Sequence, residues 1–262
     1  MRVYVEFAKK TFQRHAIYRM EYVFGLFNSI LALFISAAIW QAVYGDTAII
    51  DGISKNEMVT YAVLGMIMRT WLSMNEFIID GKIHTGEIAV DLLKPYRFLR
   101  YIFAIVFGEV LFNLWTKVLP VTIIAYLAFQ LVFPSQRIYI LLFLISLVFS
   151  YFVLYYLNLM FWLLSFWIQH TWSVITIKNA IVMLLSGATI PFWFLPDQVV
   201  AVLQWLPFKN IYFTPLNIFL GKVPLGDIGL LYVEQCIWIV ILYAICQLLW
   251  KLAGRRLIIH GG

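Results

Sequence analysis

Between two long apolar runs the chain sets Asp80, Gly81, Lys82, His84, Thr85, Gly86, Glu87, Asp91 and Lys94 around an aliphatic Ile88-Ala89-Val90 and Leu92-Leu93 run that stops at Pro95. Acids, bases and glycine hinges interleaved with aliphatic residues break no bonds by themselves. The chemistry they suit is recognition, in which an apolar patch rimmed by charge docks on a partner. The residue types that catalyse are scattered. His15, His84, His170 and His260 lie in separate segments without ligand spacing, so no metal site is expected. Cys236 and Cys246 share one apolar segment, too far apart along a helix to bridge, and read as packing residues. No phosphate-binding G-x-x-x-x-G-K-[ST] occurs: Gly81-Lys82 and Gly221-Lys222 both lack the upstream glycine and the following hydroxyl. No cofactor is expected on the chain, and any ATP hydrolysis must come from elsewhere.

The elements around this island must hold it at a membrane. With 63% hydrophobic and 12% charged residues the chain lies far from the soluble norm of about 45–50% apolar and about 25% charged. An all-α polytopic membrane protein follows, a single transmembrane domain over 1–262. Apolar runs long enough to cross a bilayer predict six spans, at Tyr22–Tyr44, Met58–Ile79, Tyr101–Phe129, Ile138–Phe166, Val174–Ile190 and Gly229–Trp250. The first is expected to stay attached, since it is longer than a signal-peptide core. Lys and Arg gather on one side: Arg2, Lys9, Lys10, Arg14 and Arg19 at the start, Lys82, Lys94, Arg97 and Arg100 in the 80–100 loop, Lys178 in a fourth loop, and Lys251, Arg255 and Arg256 in the tail. Only Lys55, Arg137, Lys209 and Lys222 fall opposite. This bias places both termini in the cytoplasm. It also explains the net charge of +6 by topology, with no nucleic-acid partner. The break between spans four and five rests on Gln169 to Ser173 alone.

Ahead of the first span, Met1, Val5, Ala8, Phe12, Ala16 and Met20 recur at helical spacing. They predict an interfacial helix over 1–21 lying on the cytoplasmic membrane surface; the alternative is a helix packed on its own protein. Between spans five and six, over 191–228, Pro191, Pro196, Pro207, Pro215 and Pro224 cut an aromatic segment into pieces too short to span. Irregular backbone at membrane depth must be covered by protein or line a cavity. Short outer-leaflet helices are expected here, roofing a cavity, with Pro191, Phe194, Pro196, Trp205 and Pro207 as an outer gate.

Arg69 and Glu109 fall inside spans two and three at comparable depth. A charge at the bilayer centre costs about 2.5–3.5 kcal/mol or more unless paired or hydrated, so a structural ion pair is expected, with a pathway role or misplaced span ends as the alternatives. Lys117 and Glu234 are possible pathway residues. Tyr151, Phe152, Tyr155, Tyr156, Phe161, Trp162, Phe166, Trp167 and Trp172 read as bundle core or interface belt.

These residues together resemble a known family. The Gly-x-Ile-x-x-Gly-x-x-x-x-x-Leu-Leu-Lys-Pro loop at 81–95, Leu184-Leu185-Ser186-Gly187-Ala188-Thr189-Ile190-Pro191, Phe194-Leu195-Pro196, Leu206-Pro207-Phe208 and Thr214-Pro215 are similar to the ABC-2-type permeases, the membrane subunits of ATP-binding-cassette exporters. The tail ending in Gly261-Gly262 resembles a small bacterial branch of them. The resemblance implies a half-transporter in a bacterial inner membrane. A second permease, identical or related, pairs with it, and a cytosolic ATPase dimer holds ATP and Mg. It also implies that 81–95 is the coupling helix. Gly81 and Gly86 would allow the turns that start it and Pro95 would stop it. Ile88, Leu92 and Leu93 would dock on the ATPase, with Glu87 and Asp91 as rim charges.

Two other classes fit less well. A secondary transporter independent of ATP would show matching repeats and broken helices at the midplane, and an intramembrane enzyme would show paired Glu or His motifs within spans. Neither pattern is evident. A largely apolar, aromatic interior suits a lipid, peptide or drug as cargo better than sugars or simple ions.

Overall fold

A computed structural model describes residues 2–17, 19–168 and 171–260. Gly261-Gly262, and Gln169 and His170 of the break between spans four and five, lie outside the described residues, as do the side chains of His15, Arg19, Arg256 and His260. The structure is 79% helical, and among the described residues the strands form one two-stranded ribbon, which makes it all-α. In order come α1 (Arg2–Ile17), α2 (Arg19–Tyr44), β1 (Ile49–Ile50), β2 (Ile53–Ser54), α3 (Lys55–Trp71), α4 (Ile78–His84), α5 (Glu87–Leu93) and α6 (Phe98–Asn113). A π-helical turn (Leu114–Val118) leads into α7 (Leu119–Ala128), followed by α8 (Ile138–Leu163), a 3-10 turn (Leu164–Phe166) and α9 (Thr171–Leu185). Then come a 3-10 turn (Phe192–Phe194), α10 (Asp197–Leu203), another (Pro207–Asn210), α11 (Phe213–Phe219) and α12 (Leu225–His260).

Among the described residues four stretches are long and apolar enough to cross a membrane: Tyr22–Tyr44, Phe98–Ala128, Ile138–Phe166 and Leu225–Arg255. The other two expected spans fold as shorter helices. The 17-residue α3 ends at Trp71, well short of Ile79. The chain beyond it satisfies its backbone from α6: the Asn113 amide donates to the Ser73 carbonyl at 3.1 Å, and Glu109 accepts the Asn75 N–H at 3.1 Å. Side chains that serve backbone groups in this way compete with helical hydrogen bonds and end the helix. The 15-residue α9 begins at Thr171 and ends at Leu185, so Lys178 stands in mid-helix and not in a loop.

Packing divides the 1–262 span into two compact units, Met1–Asn75 with Ala89–Val132, and Glu76–Ile88 with Phe133–Gly262. In the first, one buried cluster takes Leu33 and Ala37 from α2, Val59, Val63 and Ile67 from α3, and Val121 and Ala125 from α7. Each set repeats at four residues, the spacing that lines one helix face. The Asp51-Gly52 turn of the ribbon has φ of 48° and 76°, the left-handed pair that a two-residue hairpin needs. Ser54 then caps α3: its hydroxyl accepts the Glu57 N–H at 3.3 Å while the Glu57 carboxylate accepts the Ser54 N–H at 2.8 Å.

Within the first unit α1 packs on α6. Phe7 meets Tyr101 edge-on at 4.8 Å, Phe12 meets Phe112 at 5.4 Å, and the Tyr4 hydroxyl accepts the Arg97 N–H at 3.1 Å. The face in use is Tyr4, Phe7, Ala8, Thr11 and Phe12; Val5 and Met20, expected on the apolar side, are exposed. One face of α1 thus packs on its own protein, while Val5 on another remains open.

Between α6 and α7 the π-helical turn precedes Pro120. Proline has no N–H for the carbonyl four residues back, which is Thr116, and the Tyr22 hydroxyl of α2 donates to that carbonyl at 2.9 Å. In the second unit α8 is the hub, packed on α12, α11, α9 and α4. Trp162, Tyr155, Leu159 and Leu163 are fully buried, so much of the aromatic load is core. Cys246 is buried, with its thiol on the Tyr156 carbonyl at 3.3 Å.

Candidate functional site

The island at 80–95 folds as two short helices hinged at Gly86, whose φ of 73° favours glycine. Gly81 is inside α4 and marks no turn. α5 stops at Leu93, one residue before the Lys94-Pro95 pair, because the residue before proline is pushed out of helical backbone. The expected docking residues divide by burial. Ile88 is 4% exposed and Asp91 3%, whereas Leu93 is 88% exposed, with Leu92 and Val90 also open. Asp91 is therefore no rim charge. Its carboxylate accepts Lys94 Nζ at 2.8 Å and the Tyr96 hydroxyl at 3.0 Å, which fixes the end of α5 on the following chain. That hydrogen bond raises the Lys94 ammonium above its usual range. Burial, and then the same carboxylate, raise Tyr96. Glu87 stays exposed, paired with Lys82 at 3.4 Å. α5 is thus a seven-residue helix anchored through Ile88 and Asp91 that presents Val90, Leu92 and Leu93.

Arg69 and Glu109 do not form the expected ion pair. Because α3 ends early, Arg69 sits in its last turn, where a cation complements the helix dipole. Its guanidinium reaches Met66 Sδ at 3.9 Å, while Glu109 accepts the Asn75 N–H. Lys117 lies in the π-helical turn against α2, close enough that a Cβ on Gly25 would be 3.3 Å from its Cε. Glu234 is held by Lys209 Nζ at 2.9 Å and the Asn210 amide at 3.0 Å.

The 191–228 segment is built into the second unit. Ile211, Leu216 and Ile218 are fully buried, and α11 packs on α8. A polar network ties the segment down: Gln235 of α12 donates to the Asn210 carbonyl at 3.1 Å, and Ser150 of α8 donates to the same carbonyl at 2.8 Å. Ser146 completes it by donating to Gln235 Oε1 at 3.2 Å. Of the expected gate residues, Pro191 and Pro207 are buried, Phe194 is half-buried, and Pro196 and Trp205 are exposed. Beside them lies a cavity of about 370 Å³ between Trp193, Gln204, Phe213, Asn217, Lys222 and Asp227. Phe192 stacks on Phe213 at 4.4 Å along its wall.

Sequence reasoning missed one cluster. Lys178, 2% exposed, places Nζ 2.7 Å from Glu76 Oε2 and 2.7 Å from Asn158 Oδ1. The Trp162 indole N–H donates to the same Glu76 oxygen at 3.3 Å. A lone basic residue in a long uncharged run was available as a signal, since an isolated charge at membrane depth needs a partner; the loop assignment hid it. Among the described residues no group of three or more His, Cys, Asp or Glu could hold a metal.

Long apolar helices, buried charge networks and a short presented helix define a polytopic all-α membrane protein. The chain belongs to the ABC-2 family transporter proteins, whose family model matches residues 27–261. Neither the curated proteins nor the solved structures give a match. The chain is a transport permease of that class.

Proposed function

We propose that the chain is the membrane subunit of an ATP-driven exporter, paired with a second permease and with a cytosolic ABC ATPase dimer that binds ATP and Mg. The observation that carries this reading is α5, anchored by Ile88 and Asp91 while Leu92 and Leu93 face outward. An aliphatic pair is held in water at that position only at a cost of about 25 cal/mol per Å², which a partner's groove removes. Six crossings, by α2, α3, α6 with α7, α8, α9 and α12, put both termini in the cytoplasm of a bacterial inner membrane. At about 1.5 Å per residue, α3 and α9 are short for a hydrocarbon core of about 30 Å, and flanking residues or local thinning make up the difference. The 191–228 segment caps the outer end of the pathway. The cargo is hydrophobic or amphipathic, a lipid, peptide or drug. The test is affinity purification from the native membrane. An ABC ATPase is expected to co-purify with the wild-type chain and to be lost with Leu92→Asp plus Leu93→Asp, while the variant permease keeps its thermal stability. Retention of the ATPase by that variant removes α5 as the docking element, and absence of any ATPase favours a secondary transporter.

A further inference from the structure

Burying an ammonium strips it of water, and replacing a buried ion pair by apolar residues of similar volume is often neutral or stabilising, so such a pair is a poor way to pack one helix on another. Lys178 of α9 nonetheless bridges one partner inside a helix and one outside any helix. Asn158 belongs to the interior of the 26-residue α8. Glu76 lies outside any helix, one residue before Phe77, which is the N-cap of α4. The Glu76 carboxylate is a quarter exposed, and Oε2 takes both the Lys178 ammonium and the Trp162 indole N–H. α4 continues the same attachment by packing on α8 and on the 3-10 turn at Leu164–Phe166. The Glu76–Ile88 stretch accordingly clusters with the second unit, although the chain on either side of it clusters with the first.

We propose that Lys178 is a positioning residue for the transport cycle: through Glu76 it tethers α4 to α8 and α9, so that these three helices move as one body when α5 is pushed. The proposal rests on α5 being the docking element. Its physical basis is the sharing of donors. The ammonium has three N–H groups, one of which is spent on Asn158 within its own bundle, and the bond to Glu76 fastens the chain that leads into α4. Without the lysine, Glu76 can hydrate at its exposed side, so α8 and α9 keep their packing while α4 loses its charged anchor. Loss of the carboxylate is harsher, because it leaves a buried ammonium with only the amide oxygen.

The test uses the full-length permease in nanodiscs with Cys236 and Cys246 replaced by serine and alanine. Hydrogen exchange over 78–84 is compared between wild type, Lys178→Met, Glu76→Gln and the reciprocal swap Glu76→Lys with Lys178→Glu. Exchange in α4 is expected to rise about tenfold in both single variants, with α8 protection unchanged in Lys178→Met, and to fall back in the swap. Spin labels at His84→Cys and Thr176→Cys then report the distance between α4 and α9 in the complex with the co-purified ATPase. That distance is expected to stay constant on ATP-vanadate trapping in the wild type and to change in Lys178→Met. Equal α4 exchange in wild type and Lys178→Met overturns the tether, as does a wild-type distance that changes on trapping. If Glu76→Gln, the harsher change, fails to fold, the decision rests on Lys178→Met. Failure to recover any ATPase counts against the docking reading alone, because the exchange measurements need only the permease.

Discussion

Gly108 of α6 faces the Ala8 carbonyl of α1 so closely that a Cβ built on it would lie 2.4 Å from the oxygen. Contact is to backbone, which cannot swing aside as a flexible side chain would, and small residues are what allow helices to approach at this range. Gly108→Leu is expected to push α1 off α6 at a cost of about 1–3 kcal/mol. The readouts are a lower Tm and faster proteolysis within residues 2–17. An unchanged digestion pattern would show that α1 is held by something other than this contact.

Pro120 and Tyr22 are expected to be coupled. Tyr22→Phe removes the donor to the Thr116 carbonyl and should cost about 1 kcal/mol. In a Pro120→Ala background the restored N–H serves that carbonyl, so the same change should cost markedly less. A thermal-stability cycle measures the difference, and equal costs in both backgrounds would contradict the assignment.

Arg69→Ala and Glu109→Ala are expected to act independently, since one residue contacts Met66 and the other the Asn75 backbone. Their combined loss should equal the sum of the single losses within about 0.3–0.5 kcal/mol. A double variant clearly more stable than that sum would restore the ion pair.

The proposed six crossings would put the Asp51-Gly52 turn and the 191–228 segment on the same outer side, the first in water and the second at the bilayer. In a background lacking Cys236 and Cys246, cysteine at Asp51 is expected to react readily with a membrane-impermeant thiol reagent added outside intact cells. Cysteines at Phe194 and Trp205 are expected to react slowly. Fast labelling at all three positions would make the segment an exposed loop and remove the outer gate; protection of Asp51 would reverse the topology.

Membrane character was legible in the residues, because a long run of hydrocarbon-compatible side chains has no other stable setting. Tyr22–Tyr44 and Ile138–Phe166 carry that signal without interruption, and the same bounds are found as long apolar helices. Within 81–95 the turn expected at Gly81 is replaced by the interior of α4, whereas the hinge at Gly86, with its left-handed backbone, and the stop before Pro95 were readable through local sterics. Helix ends decided by partners were not. α3 stops at Trp71 because Asn113 and Glu109, distant in the chain, take its next backbone groups, and hydropathy does not register such a bond. The same limit separated Ile88 from Leu93, two aliphatic residues of one helix that differ only in which way the helix is turned. It also placed Lys178 in a loop. Its partner Glu76 lies about a hundred residues away in the chain, and only the packing of α8 against α9 decides that its charge is buried and paired.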